Sequence, residues 1–515
     1  MFCKVMSGAL QGIECYLVTV EVDISTGLPC MELVGFLSSE VREAKERVRV
    51  AMHNCNASVP TGRVTVNLSP ANVRKAGSSF DLPIAAGILG AMKRVEEIWF
   101  SQALFAGELG LDGSIRGVKG ILPMVLEARK RGFKACVIPK ENVKEGKLVR
   151  GISVFGVSHL EEVIELISQK QIPVPEEKKE EKSTKSEKEP DFLEVIGQET
   201  VKRAALAAAA GFHHFLMLGP PGVGKTMIAK RIPGILPGLS EEDCLEVSKV
   251  YSISGLLKEG KLMTAPPYVA PHHSVTLQAL TGGGRVPVPG ALSLAHKGVL
   301  FLDEMAEFKR SSLDSMRQPL EEKKIEIIRN AGAFSYPADF MLVGAMNLCP
   351  CGYFPDIGKC RCSMSERKRY MGRVSGPLLD RMDICVIVEP PAMSVLMEEG
   401  KKTGQTGSRE MADLVKAARK IQKERYEGTG ILCNSQLKGK MIKEHCKLDK
   451  PTERILDEIF RKRELGPRAY YRTLKLSRTI ADLEKSRRIE KEHVIEALSY
   501  SSGLDIFNKG AWENI

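Results

Sequence analysis

At 515 residues the chain is longer than one compact core accommodates, and two or three domains are expected. Its formal charge of +11 suits a nucleic acid, an acidic protein or no particular partner, so charge alone excludes none of these. No apolar run approaches the roughly 18 residues that a bilayer span requires. The N-terminus "MFCKVMSGALQGIECYLV" lacks the basic-then-apolar layout of a secretory signal, and thirteen scattered cysteines suit a reducing compartment, so a cytoplasmic protein without membrane contact is expected.

In chain order, "CYLVTVEVDI" and "GRVTVNL" read as strands, while "SEVREAKERVRVAMHNC" and "ILPMVLEARKRG" carry the apolar spacing of helices. These predict a mixed α and β domain over residues 1–170. The segment "PVPEEKKEEKSTKSEKEPD" has almost no apolar residue to offset the entropy of ordering, and predicts a flexible linker over residues 171–191. Between residues 192 and 393 the short apolar runs "FHHFLML", "KGVLFLD", "FMLVGAM" and "DICVIVE" alternate with helical stretches, the pattern of a parallel sheet covered by helices. From 394 to 515 the strands stop. "REMADLVKAARKIQKERY", "PTERILDEIFRKREL", "YYRTLKLSRTIADLEKS" and "KEHVIEALSYSS" all read as amphipathic helices.

The run Gly219, Pro220, Pro221, Gly222, Val223, Gly224, Lys225 and Thr226 fits G-x-x-x-x-G-K-T, directly after an apolar strand and opening a helix. In that context backbone N–H groups cradle phosphates, Lys225 reaches the β and γ phosphates, and Thr226 holds Mg²⁺. Downstream, "GVLFLDEM" ends an apolar strand in Asp303 and Glu304. Beside a phosphate loop, the first acid can hold Mg²⁺ through water and the second can polarise the attacking water. ATP and Mg²⁺ are therefore the expected cofactors.

With "APHHSVTLQALTGGG", "RQPLEEKKIEIIR", "LLDRMDICVIVEPP" and "RAYYRTLKLSRTIADLE" added, the chain resembles the AAA+ ATPases over nearly its whole length, and more narrowly their magnesium-chelatase-like branch. That resemblance implies an α/β fold, an AAA+ P-loop parallel sheet with a C-terminal helical lid. It makes Asn347 the sensor residue, Arg381 the arginine finger that enters a neighbouring subunit's nucleotide site, and Arg468 the second sensor arginine of the lid. Gly466 and Pro467 depart from the small polar pair expected before Arg468. A finger acting in trans requires a ring, and a hexamer is what the resemblance implies.

The first domain resembles the α+β, ribosomal S5-like proteolytic domain of Lon proteases, through "KAGSSFDLPIAAG" and "GELGLDGSIRGVKGILPMVLEARKRGFKACVIPKEN". Ser79 matches that family's nucleophile, with Ser78 beside it. The general-base position falls on Leu122, and Lys119 lies three residues away. A serine without a base is a poor nucleophile, so a non-catalytic domain on a flexible tether is expected, serving as a collar for assembly or for guiding DNA.

The family further implies inserts that line a central pore. His272, His273, Arg285, Lys323, Lys324 and Arg329 are the candidates for contacting single-stranded or branched DNA there, the alternative for the two histidines being packing against a neighbouring subunit or capping a helix. The resemblance thus implies a ring-forming helicase of branch migration in homologous recombination and natural transformation, working with recombination proteins. The alternatives are the motor subunit of a metal chelatase and a Lon-like peptidase. Finally, "NLCPCGYFPDIGKCRC" brings Cys349, Cys351, Cys360 and Cys362 into sixteen residues. This set suits a structural Zn²⁺ clip that leaves nucleotide binding intact when lost, or a group of reduced or redox-labile thiols.

Overall fold

The computed structural model describes residues 1–173, 190–257, 260–329, 332–390, 406–501, 503 and 507. Most of the expected linker and the expected boundary at 393/394 lie outside the described residues.

The first domain is built on a seven-stranded sheet in the order Cys30–Val34, Arg63–Ser69, Glu14–Ser25, Phe2–Gln11, Ala103–Phe105, Ala135–Pro139, Ser153–Val157. Phe2–Gln11 and Glu14–Ser25 form an antiparallel hairpin in register Phe2↔Asp23, and every later neighbour from Ala103–Phe105 outward is parallel. Alternating burial along Arg63–Ser69 reflects a sheet with one face on the core. That face is covered by Ser39–Asn54 and by Asp81–Ala91, a helix apolar on nearly every side and therefore buried almost throughout. Gly87 permits the approach, since a Cβ there would meet Val22 Cγ2 at 2.6 Å.

The second sheet runs Tyr268–Val269, Val299–Leu302, Met341–Met346, Phe215–Leu218, Ile384–Ile387, all parallel. Its three central strands are buried at every residue, which is why they read as continuous apolar runs. Glu199–Gly211 and Lys225–Ile235 pack against Ser408–Arg425 of the helical end, and Pro467–Leu483 joins them. The helical end is secured by Arg425, whose Nη1 donates to the fully buried Asp482 at 2.9 Å.

Chain segments 1–170 and 192–390 are in direct contact, and the first domain is seated on the sheet domain. Gly120 N–H donates to Ser252 O (3.2 Å), Ser252 Oγ to Glu145 Oε1 (2.5 Å) and Gln11 Nε2 to Ala333 O (3.0 Å). Leu257 and Leu262 complete the apolar cluster around Ile121, Leu122 and Met124. Apolar burial together with backbone bonding holds the two parts, a contact that no local sequence pattern signals.

Candidate nucleotide site

In the parallel sheet, Phe215↔Val343 and Leu302↔Gly344 registers bring three strand ends to one edge. Ligands of open α/β sheets bind at such carboxyl ends. Gly219 must be glycine here, because a Cβ would meet Val388 O at 2.3 Å. Gly222 and Gly224 hold left-handed φ of 82° and 92°, and Gly224 caps the helix Lys225–Ile235, turning its free N–H groups toward the loop. Pro220, Pro221 and Val223 complete the turn, with Val223 buried.

Lys225 is buried, and its ammonium donates to Gly219 O (2.7 Å), Pro220 O (2.8 Å) and Asn347 Oδ1 (3.2 Å). Burial pulls its pKa down to about 8, against the opposing pull of Asp303 and Glu304. Thr226 Oγ1 donates to Asp303 Oδ2 at 2.7 Å, so the hydroxyl and carboxylate expected to share Mg²⁺ already touch. Asp303 Oδ1 accepts from Glu304 N–H at 2.9 Å. Glu304 itself sits in the left-handed region (φ 49°, ψ 46°), unusual for a side chain of this kind, and its carboxylate is exposed. His273 Nδ1 lies 3.4 Å from Glu304 Oε2. The donor set, one buried ammonium, one hydroxyl and two carboxylates beside a helix N-terminus, fits a nucleotide triphosphate with Mg²⁺.

Arg381 and Arg468 form a different cluster. Arg381 Nη1 donates to Pro377 O (2.6 Å), its Nη2 pairs with Glu321, and Arg468 Nη1 lies 3.4 Å from Asp380 Oδ2. Arg472 ties the lid helix to the same turn by donating to Met382 O at 3.1 Å. Both arginines line one cleft of about 430 Å³ between the sheet domain and the lid, and their carboxylate partners Glu321 and Asp380 line the same cleft. Beneath it, Asp383 accepts from His214 N–H (3.2 Å) and faces His213 Nδ1 (3.3 Å), whose Nε2 meets Thr479 of the lid at 2.8 Å. Asp383 stays below the usual carboxylate range despite burial because Lys475 and His213 stabilise its charge, and burial pushes His214 down to about 4.

The six candidate DNA contacts have different local partners. The His272 and His273 rings lie with centroids 4.0 Å apart; His273 faces Glu304, and His272 Nδ1 meets Ser274 Oγ at 2.8 Å. Arg285 donates to Ser39 Oγ of the first domain at 3.0 Å, and Lys323 pairs with Asp339 at 3.1 Å. Lys324 pairs with Glu326 (2.6 Å) on the exposed face of the hairpin Lys324–Arg329/Gly332–Pro337, and Arg329 is exposed at the end of its first strand.

In the first domain Ser79 is buried and Leu122 is fully buried, its N–H donating to Glu145 Oε1 at 2.8 Å. Lys119 is directed to the other domain, its Cε 2.8 Å from where a Cβ on Gly255 would stand. Ser78 Oγ bonds Glu108. Next to them Asp81, with no exposure, takes a forked pair from Arg47 at 2.7 and 2.9 Å.

The four cysteine sulfurs all lie within 4.8 Å of one another. Their loop reaches the phosphate loop, since a Cβ on Gly352 would lie 2.9 Å from Pro221 Cδ and 3.6 Å from Asn347 Nδ2. Burial raises Cys349 to about 12. Cys351 falls to about 6 despite some burial, because Tyr353 N–H and the neighbouring thiols favour its thiolate. Sequence reasoning missed the His273–Glu304 pair, the Gly352–Pro221 contact and the Asp383 network. Each joins residues remote in the chain.

The chain matches the family "Magnesium chelatase, subunit ChlI" over residues 191–396, "Subunit ChlI of Mg-chelatase" over 20–142 and "Magnesium chelatase, subunit ChlI C-terminal" over 405–501. It is 40% identical to the competence protein ComM of Haemophilus influenzae over 508 residues, 98% of each chain. It is 38% identical to the uncharacterized protein YifB of Escherichia coli, across 96% of this chain and 95% of that one. A weaker likeness, 27% identity over 205 residues, links it to Lon protease 2 of Bacillus subtilis, covering 33% of this chain and 35% of that protein.

Proposed function

This chain belongs to the ComM and YifB family of magnesium-chelatase-like AAA+ ATPases, and from that premise we propose that it is a ring-forming motor that uses ATP and Mg²⁺ to move or remodel branched DNA during recombination. The single observation that carries the reading is the meeting of Lys225, Thr226, Asp303 and Asn347 at the carboxyl edge of the parallel sheet. In this reading Lys225 and the loop amides hold the β and γ phosphates, Thr226 and Asp303 hold Mg²⁺, Glu304 polarises the attacking water and Asn347 senses the γ phosphate. Freed of Gly219 O and Pro220 O, the Lys225 ammonium turns to phosphate.

Arg381 and Arg468, gathered in the cleft beside Asp380, serve the nucleotide of a neighbouring subunit, which makes a closed hexameric ring the working form. Hydrolysis then shifts the hairpin Lys324–Arg329/Gly332–Pro337, and translocation follows from its movement against the DNA backbone. The competence name of the Haemophilus relative and the charge of +11 support DNA as the partner, with uptake of transforming DNA as the context and recombination proteins as co-workers in the cytoplasm. Peptidase chemistry is not part of the reading, because Leu122 supplies no proton acceptor and Lys119 faces Gly255.

The test is strand displacement on a forked or four-way DNA substrate with ATP and Mg²⁺. Product that depends on ATP and vanishes in Arg381→Ala supports the motor. A protein that hydrolyses ATP but neither binds nor displaces branched DNA at low salt overturns it.

A further inference from the structure

We propose that Cys349, Cys351, Cys360 and Cys362 bind one Zn²⁺, and that this ion positions the phosphate loop. Four thiolates at about 2.3 Å from a tetrahedral ion stand about 3.8 Å apart along each edge. Three of the six separations here are 3.4, 3.7 and 3.6 Å (Cys349–Cys351, Cys349–Cys360, Cys351–Cys360), and Cys362 lies within the same 4.8 Å set. These are too long for a disulfide and close to a tetrahedron's edge.

The surroundings are those of a thiolate centre. Phe354 N–H donates to Cys349 Sγ at 3.4 Å, and Arg367 Nη2 donates to Cys360 Sγ at 3.7 Å while its guanidinium lies 4.1 Å over the Phe354 ring. Binding releases the thiol protons and leaves a doubly negative centre, which this arginine and the N–H dipole offset. With four protein ligands the ion has no open position for water, so its role is structural.

What it holds in place is the nucleotide loop. The cluster's loop carries Gly352, at a left-handed φ of 82°, against Pro221. Its first ligand follows Asn347, the acceptor for Lys225, by two residues. A metal that fixes both ends of this loop thereby fixes the wall against which Pro221 of the phosphate loop rests. On this proposal loss of the ion weakens nucleotide binding, whereas the sequence alone suggests that binding is spared. This second half rests on the nucleotide reading above, whereas the metal assignment does not.

The experiment uses the full chain. Elemental analysis is expected to find about one zinc per chain, and Cys360→Ser to retain less than a tenth of it. Stripping zinc with a mercurial is expected to weaken binding of a fluorescent ATP analogue at least tenfold, with recovery when the mercurial is quenched by thiol and zinc restored. Gly352→Ala keeps all four ligands, so zinc is expected to stay while nucleotide binding weakens. Lys225→Ala separates the readings, since it is expected to lose nucleotide and keep zinc. Purified chain that holds no zinc, or holds iron, overturns the metal assignment. Unchanged nucleotide affinity in both stripped protein and Gly352→Ala overturns the positioning role.

Discussion

Two corners of this molecule resemble catalytic centres, and they differ in what converges on them. At the phosphate loop, Lys225 donates to Asn347 at 3.2 Å and the adjacent Thr226 donates to Asp303 at 2.7 Å. Around Ser79, the would-be base position is the buried Leu122, and Lys119 is occupied at the boundary with the other domain. The first corner thus brings its candidate groups together, and in the second the position matching the base is apolar. The lesson is that fold similarity transfers function only where the reacting groups still meet.

The comparison breaks most visibly at Arg381, the proposed arginine finger. Arg381→Ala is expected to cut ATP hydrolysis by about 10³-fold or more while nucleotide still binds. Mixing those subunits with Glu304→Gln subunits should restore part of the rate, as read by steady-state phosphate release. Glu304→Gln alone is expected to lower the rate by about 10²- to 10⁴-fold, with nucleotide trapped in the site.

A smaller effect comes from pH. Burial holds free Lys225 at about 8, and phosphate contact favours its charged form. Nucleotide binding therefore takes up a proton above pH 8, and affinity should fall toward tenfold per unit as pH rises beyond that point, with little change between 6 and 7. Titration with a fluorescent nucleotide across pH 6 to 9 reads this. The smallest effect belongs to the other corner, where Ser79→Ala is expected to leave ATP hydrolysis and the absence of casein cleavage unchanged. Cleavage by the parent chain that is lost in this variant would restore the peptidase reading.

The phosphate loop was legible because glycine geometry and a buried strand write themselves locally: Gly219, Gly222 and Gly224 follow the fully buried Phe215–Leu218. Asp303 and Asn347 were legible for the same reason, each closing an apolar parallel strand. What could not be read were pairings set by the fold. His273 meets Glu304 because Tyr268–Val269 neighbours Val299–Leu302 in the sheet, and nothing in "APHHS" signals that. Arg285 donates to Ser39 and Lys323 pairs with Asp339, partners that no local pattern around either residue signals. The docking of the first domain through Gly120, Ser252 and Glu145 was hidden likewise, since a charged linker says nothing about the surfaces it joins.

The central claim is that hydrolysis at the phosphate loop is harnessed to branched DNA. Its most direct test is the ATPase rate of the intact chain with and without a four-way junction over a series of salt concentrations. The account predicts stimulation at low salt that declines steeply as salt rises, and none in Lys225→Ala. A rate indifferent to the junction at every salt concentration would contradict it.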